Sequence, residues 1–411
     1  MGTPVICLVT LHGIGFEQPP QPEKGIPGYA DDLHQHLSKY LDEALLGDDP
    51  NRGREQRGEN GPVYVQSWYP PKKATAKSGL TRLGNWTGKD HRSVDISQAP
   101  LVNGEQRIAH VALVYSHLEG QGPMIGSSLI AGSMVSVSAL HYAHVAGMIQ
   151  MLFSDMTAML QHQPKAANHA QPATGLRVRS DPGYHRPGHH ADDDAPTGLL
   201  ATLRQLENDV AAYVCRNEQR ERVRFFVHDA LMRLACRDDV EAIVINSHSN
   251  GTVIGLDAMR QLPPFAVEKI KVFITAGSPL RKYIDLFVWG QQIESVNPIK
   301  RWINFWDPLD PVGDPLAPPA SWRRGDKLLP AFNDGLFQHV NPNTGAMQSI
   351  QVEDRQVDNV RNSIDCELKA HNYWDNAPEF VNPLADILKE VASGHEISLS
   401  ASMAWNDISF P

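Results

Sequence analysis

Cys7, Cys215, Cys236 and Cys366 are the only cysteines in 411 residues, and they lie too far apart for a disulfide framework or a zinc-ligand spacing. Positive charge is short as well. Lys and Arg number 37 against 47 Asp and Glu, a net charge of -10, which argues against the concentrated basic face that a nucleic-acid groove needs. The densest basic run, Arg216, Arg220, Arg222 and Arg224, is interleaved with Glu218 and Glu221 and reads as a solvated helix face. A charged leader and a cleavage pattern are both missing ahead of the first strand at Val5, so the expected location is cytoplasmic.

Long apolar runs are rare, with one exception. Residues 120–154 carry no Asp, Glu, Lys or Arg and include Met124, Leu129, Met134, Val145, Met148, Met151 and Phe153. The stretch exceeds the roughly 20 residues that span a bilayer. Gly and Ser recur through it with His141, His144 and Gln150, and these would leave polar groups in hydrocarbon. The preferred reading is a buried helix pair or an apolar cap, with peripheral membrane contact as a further use of the same surface. From about His162 to Gly198, Pro, His, Ala, Gly and Asp displace large apolar residues, the composition of a mobile or disordered loop. His185, His189, His190, Asp192, Asp193 and Asp194 fall inside it, where a solvated loop is favoured over a metal site.

Elsewhere, short β-branched runs alternate with helical spacing. Strands are expected over Val5 to Thr10, Val63 to Trp68, Ile108 to Tyr115, Ile270 to Thr275 and Trp302 to Trp306, with an edge strand over Gln348 to Glu353. Leu33, Leu37, Tyr40, Leu41 and Leu45 predict a helix between Tyr29 and Leu46, and Pro70 to Glu105 reads as a surface excursion. Further helices are expected over Leu199 to Arg216, over Arg222 to Arg237, and at the end through Phe380, Leu384, Ile387, Leu388 and Val391. This βαβ rhythm predicts an α/β protein with a mostly parallel sheet and helices on both faces.

Four stretches carry chemistry. Val244-Ile245-Asn246-Ser247-His248-Ser249-Asn250-Gly251-Thr252 passes from a strand through small residues into a helix, the order of a turn that lifts a serine hydroxyl out for attack. Leu11-His12-Gly13-Ile14-Gly15 follows the first strand, and a glycine turn there can aim a backbone N–H at a developing oxyanion, with Asn250 N–H as the second donor. Asp307-Pro308-Leu309-Asp310-Pro311-Val312 ends the Trp302 to Trp306 strand with two carboxylates, either able to orient an imidazole. His371, in Ala370-His371-Asn372-Tyr373-Trp374, sits in a loop before the last helix. His339, His395 and the histidines scattered between His141 and His190 compete with it, and Asp314 competes with the two acids.

These stretches, with Gly277-Ser278-Pro279-Leu280, resemble the α/β-hydrolase superfamily of serine lipases and esterases, over His12 to about Leu388 and in the chain order Ser, Asp, His. The resemblance implies Ser249 as nucleophile, Asp310 as acid and His371 as base, with Gly13 or Ile14 and Asn250 as oxyanion donors. His12 would support the oxyanion turn, and His248 would pack under the elbow or line the pocket. Ser247 departs from the pattern, which usually has glycine there. The implied protein is one catalytic domain over 1–411, with a cap drawn from 116–198 whose 162–198 portion is the mobile loop. It would hydrolyse carboxylic esters, acyl or lipid esters foremost, through an acyl-enzyme, with no cofactor and no metal. Thioesterase, amidase and acyltransferase chemistry on the same groups, and a non-catalytic binding protein of the same fold, stand as alternatives.

Overall fold

Val5–Leu11 is apolar at nearly every position, and a strand of that composition is stable when covered on both faces. In the computed structural model this is β1, buried along its whole length. The structure describes residues 4–13, 27–42, 45–47, 61–68, 82–85, 96–97, 100–115, 217–281, 299–310, 312–316, 323–324, 327–328, 338–340, 344–349, 352–363 and 369–394. In chain order after β1 come α1 (Asp31–Ser38), β2 (Leu46–Gly47), β3 (Val63–Trp68), β4 (Arg82–Asn85), β5 (Ile108–Val114), α2 (Asn217–Ala235), β6 (Val240–His248), α3 (Asn250–Met259), α4 (Pro264–Lys269), β7 (Ile270–Ala276) and β8 (Trp302–Trp306). Two short antiparallel ribbons, β9 (Arg323–Arg324) with β10 (Lys327–Leu328) and β11 (Gln338–Val340) with β12 (Met347–Ser349), precede β13 (Val352–Gln356), α5 (Asn359–Asn362) and α6 (Asn382–Ala392).

Among the described residues, nine strands form one sheet in the order β13-β8-β7-β6-β1-β5-β3-β4, with β2 also pairing with β5. Every pairing in this sheet is parallel except that of β3 with β4. The chain starts in the middle. It lays β2 to β5 on one flank of β1, then crosses over and places β6 on the other flank, so the order reverses between β1 and β6. Open α/β sheets bind ligands outside the carboxyl ends of their strands at such a reversal, which directs attention to His12 and to Ser249.

Alternation along the strands sorts the core into two layers. Cys7, Val9 and Leu11 face one side, where Val223, Phe226, Val227, Ala230, Leu231 and Leu234 of α2 pack with α3. Their spacing of three and four places them on one helical stripe. Phe226 and Leu231 are fully buried, each worth about 2 kcal/mol by area removed from water. Ile6 and Leu8 face the other side, against Leu33 and Leu37 of α1 and Leu384, Ile387 and Leu388 of α6. The protein is thus of the α/β type, a mostly parallel sheet covered by helices on both faces.

Three elements differ from the sequence reading. The helix expected to run to Leu46 stops at Ser38, because Leu46 and Gly47 are drawn into pairing with Ile108 and Ala109; Leu41 and Leu46 are buried all the same. The expected surface excursion contributes the β4 strand, and Ile96 and Leu101 enter the core. Arg237 ties that segment down through a 2.7 Å bond to the Ile96 carbonyl. The edge strand expected over 348–353 is divided between β12, in its own ribbon, and β13, which extends the main sheet beside β8. Residues 116–198, with the expected cap, the mobile loop and the uncharged 120–154 stretch, lie outside the described residues. Among the described residues, no helix is long and apolar enough to cross a membrane, and no group of three or more His, Cys, Asp and Glu could hold a metal ion.

Candidate active site

The end of β6 turns sharply. Ser249 has φ 54° and ψ -130°, a positive φ found in no other non-glycine residue among those described. Such a backbone is strained for an L-residue, at a cost on the order of 1–3 kcal/mol, and persists where the surroundings over-determine it. The surroundings here are main chain. Gly251 lies so close to β1 that a Cβ on it would collide with the His12 carbonyl and stand 2.9 Å from that of Leu11. Gly13 packs on the serine itself, where a Cβ would overlap the Ser249 Cβ and lie 3.1 Å from its Oγ. Asn250 opens α3, at the helix end where backbone N–H groups point outward and the helix dipole favours negative charge.

His12 holds the neighbouring turn. Its Nδ1 donates to the Gly13 carbonyl at 2.7 Å, while the Tyr115 N–H donates to its Nε2 at 3.4 Å. Together these partners require the neutral ring protonated on Nδ1. The ring stacks on Tyr115, centroids 3.9 Å apart, and meets Tyr29 edge-on. Tyr115 also donates its hydroxyl to the His12 carbonyl. Ile14 lies outside the described residues.

At the end of β8 the chain makes a turn closed by Asp310 N–H on the Asp307 carbonyl at 3.0 Å. The turn separates its two acids. Asp307 accepts the N–H groups of Leu309 and Asn359, both at 2.7 Å; burial pushes its pKa up to about 6 against these bonds. Asp310 accepts His371 Nδ1 at 3.0 Å on Oδ1 and 2.9 Å on Oδ2, the Val312 N–H at 2.8 Å and the Tyr373 hydroxyl at 2.8 Å. Burial, the largest influence, raises the Asp310 pKa, but the His371 charge and these donors outweigh it and hold the carboxyl below its usual range. The acid paired with His371 is therefore Asp310, and Asp307 serves the backbone.

His371 ends a single 3-10 turn, Lys369–His371, and is buried. Its ring lies over the end of β7, where a Cβ on Gly277 would stand 2.7 Å from its Cε1. The preceding residue, Ala276, accepts the Ser249 N–H at 2.9 Å. The imidazole and the strained serine thus flank the same two-residue step. The His371 Nε2 is buried and makes no hydrogen bond, so the link from Ser249 to His371 is not closed in this structure; such bonds are often loose in unliganded sites and tighten with substrate bound. His248 donates from Nε2 to the His371 carbonyl at 2.9 Å and lies 4.5 Å from its ring. Burial first, then the nearby His371 charge, pushes its pKa down to about 3, so it stays neutral.

Two groups had no role assigned in the sequence reading. Tyr373 bridges the acid turn, accepting the Asp307 N–H at 2.9 Å while donating to Asp310. Its place two residues after His371 was its only signal. Asn359 donates to the Ala370 carbonyl at 2.6 Å and accepts from Asn376 at 2.8 Å, with no sequence motif to mark it. Comparison of the chain with protein-family models, with curated proteins and with solved structures gives no match.

Proposed function

We propose that the chain is a serine hydrolase of the α/β-hydrolase fold that cleaves carboxylic esters through an acyl-enzyme. The observation that carries this reading is Ser249, a strained serine at the reversal point of the sheet beside a buried Asp310–His371 pair. Strain of this kind marks functional sites, and an imidazole bound through Nδ1 to a carboxylate leaves Nε2 as its only basic atom.

The chemistry follows from those groups. His371 Nε2 takes the Ser249 proton as Oγ attacks the ester carbonyl, and Asp310 holds the ring tautomer and stabilises the imidazolium. The negative oxygen meets the Asn250 N–H, aided by the α3 dipole, and a second main-chain donor from the turn at Gly13. One such donor is worth roughly 3 kcal/mol of barrier in comparable sites. His371 then returns its proton to the departing alkoxide. It next activates the water that hydrolyses the acyl group. The residues used are all polar or backbone groups of this chain. The preference for acyl or lipid esters rests on the uncharged 120–154 stretch.

Two measurements test the reading. A fluorophosphonate probe should label the folded protein at Ser249 and leave Ser249→Ala unlabelled. Rates over p-nitrophenyl esters from acetate to palmitate should peak at long chains and fall by about 10⁶ in Ser249→Ala. Absence of any adduct on folded protein would replace this reading with a non-catalytic binding protein, and a flat chain-length series would remove the lipid preference alone.

A further inference from the structure

The Tyr373 hydroxyl is wholly buried between its own loop and the turn holding Asp310 and Asp307, 63 and 66 residues away along the chain. A buried phenol needs one acceptor to be satisfied. This one has an acceptor and a donor, and that pair settles the direction of its proton. Its oxygen accepts the Asp307 N–H at 2.9 Å, so its own hydrogen goes to Asp310 Oδ2 at 2.8 Å. Accepting one hydrogen bond strengthens the one donated.

On the carboxylate the donors are arranged evenly. Oδ1 receives the Val312 N–H, Oδ2 receives the Tyr373 O–H, and His371 Nδ1 lies within 3.0 Å of both. Hydrogen bonds to the ionised form disfavour its protonation, so each of these donors weakens the pull of Asp310 on the imidazole proton. The Val312 donor is main chain and cannot be varied by side-chain substitution. Tyr373 is the adjustable one.

We propose, building on the hydrolase reading, that Tyr373 is a positioning residue: it fixes the Asp310 carboxylate in the plane of His371 and sets how strongly that carboxylate draws the His371 Nδ1 proton. The phenol is suited to this, because burial and then the Asp310 charge keep it protonated well above its usual range. Other charged or titratable groups face the pair. His248 comes from the end of β6, held neutral, and Asp307 from the acid turn, itself acted on by Asp358. Neither bonds to the Asp310 carboxylate. Tyr373 does.

The test replaces the donor in two opposite ways in the full chain. Tyr373→Phe removes it; fluorotyrosine placed at 373 keeps the shape and makes the phenol a stronger donor. The first readout is the proton resonance of the His371 Nδ1–H, assigned by its loss in His371→Gln, which needs no substrate. It should move downfield in Tyr373→Phe, where the His–Asp bond strengthens, and upfield with fluorotyrosine. The second is the pH profile of p-nitrophenyl ester hydrolysis. Its acid limb should move to higher pH in Tyr373→Phe, with kcat lowered about tenfold and KM unchanged. Resonances unmoved in both proteins overturn the proposal, and so does a uniform loss of rate with the acid limb in place. If Tyr373→Phe does not fold, the fluorotyrosine shift decides alone. A parent protein without esterase activity would strike the hydrolase reading, while the resonance would still judge Tyr373.

Discussion

Around Ser249 the backbone is held by contact, whereas around His371 it is held by hydrogen bonds. The elbow depends on two glycines, Gly13 and Gly251, whose missing side chains let β1, β6 and α3 close on one another. Few polar ties reach the serine; its own N–H on Ala276 and its carbonyl, accepting from Thr252, account for those seen. On the His371 side, Asp307, Asn359, Asn376, Tyr373 and His248 all reach across between separate segments of the chain. A strained turn must be over-determined by hard sterics. A proton-transfer pair must be aimed, and directional bonds do that better than packing.

The largest effect bearing on this contrast separates the two acids. On the proposed reading, Asp310→Asn should lower kcat for p-nitrophenyl esters by about 10⁴, as loss of the orienting carboxylate does in Ser-His-Asp triads, with the far-ultraviolet spectrum unchanged. Asp307→Asn should act on stability and leave kcat within about tenfold, since it serves two backbone N–H groups. The reverse ranking would assign the triad acid to Asp307 and dissolve the contrast between an aimed and a structural carboxylate.

Gly251→Ala probes the steric side. Alanine in place of glycine inside a helix ordinarily stabilises by about 1 kcal/mol, but here the new Cβ meets main-chain carbonyls that cannot swing aside. A net loss of about 1–3 kcal/mol in urea unfolding is expected, in the range for overpacking. A gain instead would show that β1 and α3 are free to part.

The smallest effect is a matter of pH. The folded value of His248 is about 3 against an ordinary 6.5, so below 6.5 the unfolded chain binds a proton that the folded chain refuses. Its share of stability is complete above pH 6.5 and is lost as pH falls towards 3, reaching about 2 kcal/mol by pH 5. Unfolding titrations at pH 7.5 and pH 5 should show that much less acid sensitivity in His248→Gln than in the parent. Equal sensitivity would mean that His248 is not sealed against His371.

Much of this was legible without coordinates. Period-2 and all-apolar runs marked β1, β3, β5, β6, β7 and β8, since strands covered on both faces are built mostly from apolar residues. Small residues around Ser249 announced a tight turn. The misreadings occurred where burial does not require periodicity: Leu41 and Leu46 are buried outside any helix, and Ile96 and Leu101 reach the core from a polar stretch. The choice between Asp307 and Asp310 was open for a different reason, because only two residues of turn separate two chemically identical groups.

What the chain determined by itself, then, was its layer pattern and the local turn at Ser249, both properties of neighbours a few residues apart. Only the folded molecule decided which carboxylate meets His371, which ring tautomer His12 adopts, and that Tyr373 stands behind Asp310. Those outcomes depend on directional bonds between segments dozens of residues apart, and such bonds leave no periodic trace in a linear sequence.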